Sequence, residues 1–193
     1  MADLFAYNAA GFDDPLAMLY ACHDRMRRQL DTLERLCRHL PIHGADAEAR
    51  RAARNILKYF DTAAPNHHAD EEQSLCPRLA AAGGDAAPEL IDKLNAEHHE
   101  LTALWRELRP YLAAIAAGMR SVLPPALVRR VRGAYLAHLE MEETELLPFA
   151  ARRLDPATLE TIGREMARRR GVAMPQDVPH TAPLQRGLPG ASP

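Results

Sequence analysis

The chain has 193 residues, of which 47% are hydrophobic and 26% are charged, and its formal net charge is -2. This length suffices for one domain with a substantial core, and the charge balance excludes both a polybasic nucleic-acid surface and an acidic tail. No segment has the length of apolar residues that a bilayer span needs, so a membrane is not an expected partner. The charge balance likewise makes nucleic acid an unexpected partner.

Apolar residues at helical spacing predict four long helices and a short fifth. The first is capped at its start by Asp14 and is expected to end at Pro41 and Gly44. The second spans about residues 46–81. Pro65 lies inside it and predicts a kink or a break just before a pair of histidines.

The third helix spans about residues 88–117, the fourth about 124–153, and the fifth follows its cap Asp155. The predicted fold class is therefore all-α. The expected organisation is an N-terminal arm (1–12), a helical bundle (13–171), and a Pro- and Gly-rich tail without periodicity (172–193).

Each long helix carries one histidine where its apolar stripe requires an apolar side chain: His23, His67, His98 and His138. On the second and fourth helices a glutamate follows four residues later, which places it on the same face as the histidine. These glutamates are Glu71 and Glu142.

The two halves of the chain repeat this arrangement. An offset of 71 residues relates the second helix to the fourth, including Pro77 to Pro148, and an offset of 75 relates His23 to His98. The repetition predicts two helical hairpins related by a pseudo-twofold axis, which together form an antiparallel up-down four-helix bundle.

Two ionised carboxylates cannot lie unpaired in a bundle core, because desolvation costs several kcal/mol or more for each. The inner stripes carry no Lys or Arg at this depth, so a metal cluster is the expected counter-charge. Imidazole with carboxylate suits iron, manganese or zinc. Six ligands exceed the needs of one zinc ion and suit two iron ions, each bound by two histidines and bridged by Glu71 and Glu142, with coordination positions left open.

Several neighbouring residues have competing interpretations. His68 and His99 lie about 100° around the helix from candidate ligands, so we expect them to face outward or a helix interface. A register change at Pro65 would instead favour His68 with Glu72.

Three further glutamates can accept hydrogen bonds from the outer nitrogens of the candidate ligands: Glu72, Glu97 and Glu143. The three cysteines, Cys22, Cys37 and Cys76, are expected to be small buried hydrophobes. The cysteines show no CxxC spacing, which, with an N-terminus that lacks a signal-peptide pattern, indicates a cytoplasmic protein.

The segments FDDPLAMLYACHDRMRRQL, HHADEEQSLCP, AEHHELTALW and HLEMEETELLP resemble the hemerythrin-like (HHE cation-binding) family, in its bacterial single-domain form. The resemblance implies a four-helix bundle around a non-heme di-iron centre bridged by two carboxylates and an oxygen atom. It implies six metal ligands: His23, His67, Glu71, His98, His138 and Glu142. Oxygen-carrying members have one more histidine, a turn after the third-helix ligand, where this chain has Thr102.

The function implied is binding of oxygen, nitric oxide or peroxide, for sensing, scavenging or detoxification. The sequence leaves two alternatives open. One is a regulatory module in which a single zinc or manganese ion fixes the bundle, and the other is a protein of iron handling or Fe–S cluster repair. The sequence does not identify a protein partner.

Overall fold

The computed structural model describes residues 11–173, and all regular elements in this range are helical. Eight α-helices follow one another: α1 (Pro15–His43), α2 (Ala47–Lys58), α3 (Ala64–Asp70), α4 (Cys76–Ala82), α5 (Ala87–Ala116), α6 (Pro125–Met141), α7 (Leu147–Arg153) and α8 (Pro156–Arg169). The predictions for the arm before residue 11 and for the tail after residue 173 lie outside the described residues. None of the helices described could cross a bilayer, as judged from length and apolar character.

Three π-helical turns join some of these helices end to end: π1 (Tyr59–Ala63), π2 (Glu71–Leu75) and π3 (Glu142–Leu146). The second long helix is thus continuous over residues 47–82, and the fourth over residues 125–153. With α1 and α5 they make up the four long helices that the sequence predicts.

A proline follows each π turn at the second position of the next α-helix: Pro65, Pro77 and Pro148. Proline lacks an N–H and its ring clashes with the carbonyl four residues earlier, and a wider turn relieves that clash. The kink or break expected at Pro65 is therefore replaced by a π turn in a continuous helix. Proline alone does not dictate this geometry, because Pro110 lies inside the regular α5.

The predicted helix caps are confirmed at three of four positions. The Asp14 carboxylate accepts a hydrogen bond from the Ala17 amide at 3.0 Å, and Asp155 accepts one from the Thr158 amide at 2.7 Å. Gly44 ends α1 with φ at 66°, a conformation that favours glycine. The expectation that Pro41 ends α1 is wrong, since Pro41 lies within the last turn.

The long helices pack in a closed ring, because α1 and α5 each contact both α2 and α6. Two apolar clusters fill the interior. One contains Met26, Phe60, Leu101 and Tyr135, the other contains Leu19, Leu75, Leu94 and Leu146, and the four histidine-bearing positions lie between them. The candidate site is therefore a thin polar layer inside an apolar core.

The fifth helix of the prediction, α8, is held to the bundle by a buried carboxylate. Asp70 is fully buried and pairs with Arg169 and with Arg170, whose Nη2 lies 2.6 Å from Oδ2. Gly163 of α8 lies against the Phe12 carbonyl so closely that a Cβ there would overlap it, at 1.8 Å. The absence of a side chain at Gly163 thus lets the chain before α1 pack on α8.

We predict that Asp70→Asn lowers the free energy of unfolding by about 3 kcal/mol, because it leaves two guanidinium groups without their buried counter-charge. Urea denaturation of the variant measures this loss. The control is Glu145→Gln, which breaks the exposed Lys93–Glu145 pair and should cost less than about 1 kcal/mol. Equal losses in the two variants would contradict the role given to Asp70.

Candidate metal centre

The six predicted ligands converge in one buried layer. None exposes more than 3% of its surface, and they fall into two groups of four, in each of which the candidate ligand atoms lie within 4.8 Å of one another. The first group is His23, His67, Glu71 and Glu142, and the second is Glu71, His98, His138 and Glu142. Both glutamates are shared by the two groups.

Each shared carboxylate directs one oxygen toward each histidine pair. Oε2 of Glu142 lies 2.9 Å from His23 Nε2, while its Oε1 lies 2.8 Å from His138 Nε2. Oε1 of Glu71 lies 3.5 Å from His67 Nε2, while its Oε2 lies 3.4 Å from His98 Nε2. This is the arrangement that two bridging carboxylates need.

These close approaches lack hydrogen-bond geometry. The four Nε2 atoms of the histidines and all four oxygens of Glu71 and Glu142 are buried without a hydrogen-bond partner among the described residues. Unsatisfied buried polar atoms are rare and costly in folded proteins. Cations between them would satisfy all eight at once, so the donor set fits metal.

The π turns help to present this layer. Glu71 is the first residue of π2 and Glu142 is the first residue of π3. A four-residue spacing overshoots a regular turn of 3.6 residues, and the wider π turn absorbs the excess. His67, Glu71, Leu75 and Leu79 therefore all stay buried, and on the fourth long helix the inward residue is Leu146 while Glu145 is exposed.

In the metal-free site, protons balance the carboxylates. Burial opposes the charging of His98, but the nearby carboxylates of Glu142 and Glu71 raise its pKa to about 10. Burial likewise opposes the charging of His67, yet Glu71 and Glu142 hold its pKa well above 6.5. Burial would raise the pKa of Glu142, but the four surrounding histidines lower it well below 4.5. A cation binding here must displace protons from the imidazoles.

Three outer glutamates orient the rings of the candidate ligands, as anticipated from the sequence. Glu143 accepts from His23 Nδ1 at 2.8 Å, Glu72 from His98 Nδ1 at 2.7 Å, and Glu97 from His138 Nδ1 at 2.8 Å. A proton held on Nδ1 leaves the Nε2 lone pair free for a metal and makes it more basic.

The fourth histidine lacks such a glutamate and lies against Cys22. His67 Nδ1 has no hydrogen-bond partner, and the 75-residue offset makes Cys22 the equivalent of Glu97. The Cys22 sulfur accepts a hydrogen bond from Arg25 at 3.2 Å. Burial raises the thiol pKa, but His67 and Arg25 outweigh it and lower the pKa below 9.0. The expectation that Cys22 is only a small buried hydrophobe is therefore incomplete.

His68 lies at the helix interface and not in solvent, whereas His99 is exposed as expected. The His68 ring stacks on His98 with centroids 4.0 Å apart, and burial, followed by repulsion from the neighbouring histidines, lowers its pKa to about 2. The rival pairing of His68 with Glu72 does not form, since Glu72 binds His98. Sequence reasoning missed how close His68 lies to the site.

Comparison with known proteins agrees with this geometry. Residues 14–150 match the family model described as the hemerythrin HHE cation binding domain. The chain belongs to the hemerythrin HHE cation-binding family. It is also 31% identical to an uncharacterized protein of Haemophilus influenzae over 163 residues, which cover 84% of this chain and 94% of that relative.

The buried layer of six candidate ligands should make the stability of the metal-free protein depend on pH. His98 has a pKa of about 10 when folded against an ordinary 6.5, so its contribution is complete below about pH 6.5 and is lost as the pH rises toward 10. Glu142 acts in the opposite sense, with a contribution present above about pH 4.5 and lost on acidification. Denaturation of chelator-treated protein across this range should show stability falling from pH 6.5 upward. A constant or rising stability there would contradict the assignment.

Removing an outer carboxylate should weaken metal binding in this HHE domain. We expect Glu97→Gln to reduce metal affinity by about 10- to 100-fold, because a neutral amide oxygen is a weaker acceptor for the His138 Nδ1–H than a carboxylate and makes the ring less basic. Competition titration with a chromophoric chelator measures the affinity. Glu100→Gln is the matched control, since Glu100 is an exposed residue of the same helix. An unchanged affinity in Glu97→Gln would show that the charge of this carboxylate has no role in binding.

Proposed function

We propose that this chain is a non-heme di-iron protein that binds oxygen, nitric oxide or peroxide at an open coordination position, in sensing, scavenging or detoxification. His23 and His67 would hold one ion and His98 and His138 the other, in an antiparallel up-down bundle within the cytoplasm. Glu71 and Glu142 would be shared by the two ions.

The observation that carries this proposal is the sharing of both carboxylates. Glu71 and Glu142 each present one oxygen to each histidine pair. Each histidine pair therefore forms its group of four donors with the same two glutamates. A single ion would satisfy one group of four atoms and leave the other histidine pair without a partner. Two ions satisfy both.

Iron is favoured over manganese and zinc by the ligands and by their number. Mixed imidazole and carboxylate donors suit a redox-active iron pair. Two nitrogens and two carboxylate oxygens per ion leave six-coordinate iron with open positions. Bound there, iron would supply electrons and a binding position for a small diatomic or peroxidic ligand.

The chain itself orients the candidate ligands, excludes bulk water from them and leaves a path for a small ligand. Outer carboxylates hold protons on the Nδ1 atoms of three histidines, and the two apolar clusters keep bulk water from the layer. A cleft of about 120 Å³ between α5 and α6 is lined by Glu97, Leu101 and His138. A small ligand can approach the His98–His138 side along this cleft.

The first test is metal content and ligand response. Protein purified from iron-replete cells should contain two irons per chain, and Glu142→Ala should lose both, because one residue bridges them. Adding oxygen or nitric oxide to the anaerobically reduced protein should change its visible spectrum. A reduced iron pair whose spectrum responds to neither gas, nor to peroxide, would refute the ligand-binding function.

A second candidate is a metal-stabilised binding module without redox activity. It is favoured by the four donor atoms in each group, the number that zinc prefers. Zinc in place of iron after purification from iron-replete cells, with no binding of oxygen or nitric oxide, would support it. Transfer of iron to a protein lacking its Fe–S cluster would instead point to iron handling or cluster repair.

A further inference from the structure

Arg27 binds one of the three outer glutamates through two parallel hydrogen bonds. Its Nη1 donates to Glu143 Oε1 and its Nη2 to Glu143 Oε2, each at 2.8 Å. The same Oε1 accepts the hydrogen bond from His23 Nδ1, also at 2.8 Å. A forked pair of this kind fixes the plane and the direction of a carboxylate, which a single hydrogen bond leaves free to turn.

The other two outer glutamates have no such partner. Among the described residues, Glu72 forms its ion pair with His98 and Glu97 forms its ion pair with His138, and neither carboxylate pairs with a Lys or an Arg. The side chain of Glu72 is also 41% exposed, against 25% for Glu143. Water therefore competes more strongly for the unforked carboxylate.

The internal repeat shows what Arg27 adds. The 75-residue offset pairs Arg27 with Thr102, and the 71-residue offset pairs Glu143 with Glu72. Thr102 is an exposed, uncharged residue. One half of the bundle thus has a histidine, a glutamate and an arginine in contact, while the other half has only the histidine and the glutamate.

We propose that Arg27 is a positioning residue of the metal centre and acts through Glu143 on the ring of His23. Arg27 follows His23 by four residues on α1, so both side chains lie on one face and meet the same carboxylate. Because Glu142 and Glu143 are the first two residues of π3, the forked pair also fixes the rotation of this turn and the direction of the buried carboxylate. The inference rests on the proposed metal-binding function.

The test is Arg27→Lys, which keeps the charge but loses the forked geometry, with Arg27→Gln as a second variant that also loses the charge. In metal-free protein isotope-labelled at histidine, NMR measures how fast water exchanges with the Nδ1–H proton of each ring. We expect exchange at His23 to become about 10-fold faster in both variants, because a charge-assisted hydrogen bond is loosened. Exchange at His98 and His138 should stay as in the wild type.

Affinity for iron(II) is the second readout, measured anaerobically by competition with a chromophoric chelator. It should fall by up to about 10-fold in Arg27→Lys, the lower end of the cost of losing an outer-shell partner, because Glu143 itself remains. The reverse change is Thr102→Arg, which supplies the missing cation to the other half. It should slow the exchange of the His98 Nδ1–H proton.

Arg109→Lys is the matched control. Arg109 binds both oxygens of Asp61 through Nε and Nη2, at 2.9 and 3.0 Å, and this pair likewise joins a long helix to a π turn. Both Arg→Lys changes should lower the melting temperature of the metal-free protein by no more than about 2–4 °C, since both pairs are partly exposed. Arg109→Lys should leave histidine exchange and iron affinity unchanged.

Wild-type exchange at His23 in both Arg27 variants would overturn the inference. A lowered melting temperature without a change at His23 would also overturn it, and would assign Arg27 to stability alone. Faster exchange with unchanged iron affinity would remove Arg27 from the metal centre. If the wild-type protein binds no iron, the proposed function fails, and NMR of the metal-free protein still decides whether Arg27 holds the ring of His23.

Discussion

Burial of two carboxylates between two apolar clusters is the constraint on which the rest of the structure depends. Glu71 and Glu142 are fully buried, and among the described residues their ion pairs are with histidines, not with Lys or Arg. The carboxylates need positive charge at this depth. Protons on the imidazoles supply it in the metal-free protein, and the proposed iron ions take their place. The carboxylates and imidazoles that determine the stability of this layer are therefore the same groups that would hold the metal.

Local departures from α-helical geometry make this layer possible. A π turn begins at each of the two buried glutamates, and the proline two residues after each turn is compatible with the widened backbone. The turn keeps successive residues at four-residue spacing on the inner face. Each helix can therefore present a histidine, a glutamate and then a leucine to the interior, joining the polar layer directly to the apolar cluster beyond it.

The pseudo-symmetry of the ligands is broken in their surroundings. Cys22 occupies the place that Glu97 has beside the other helix pair, and His68 occupies the place of Leu139. His67 therefore lacks the carboxylate that fixes the ring of its counterpart His138, and an imidazole stacks on His98 where the other half has an apolar side chain. The surroundings of the two histidine pairs therefore differ, although both pairs share the same two glutamates.

The sequence alone determined the helices and the candidate ligands. Helical spacing shows which side chains share a face, and His67 with Glu71 shares one whatever the partner helices do. It could not decide the π turns, because Pro110 in α5 shows that proline alone does not produce one. Nor could it place His68, because a residue 100° around a helix faces solvent or a neighbour according to how the helices pack. The meeting of each carboxylate with histidines from other helices was likewise decided by tertiary packing, since those distances join residues far apart in the chain.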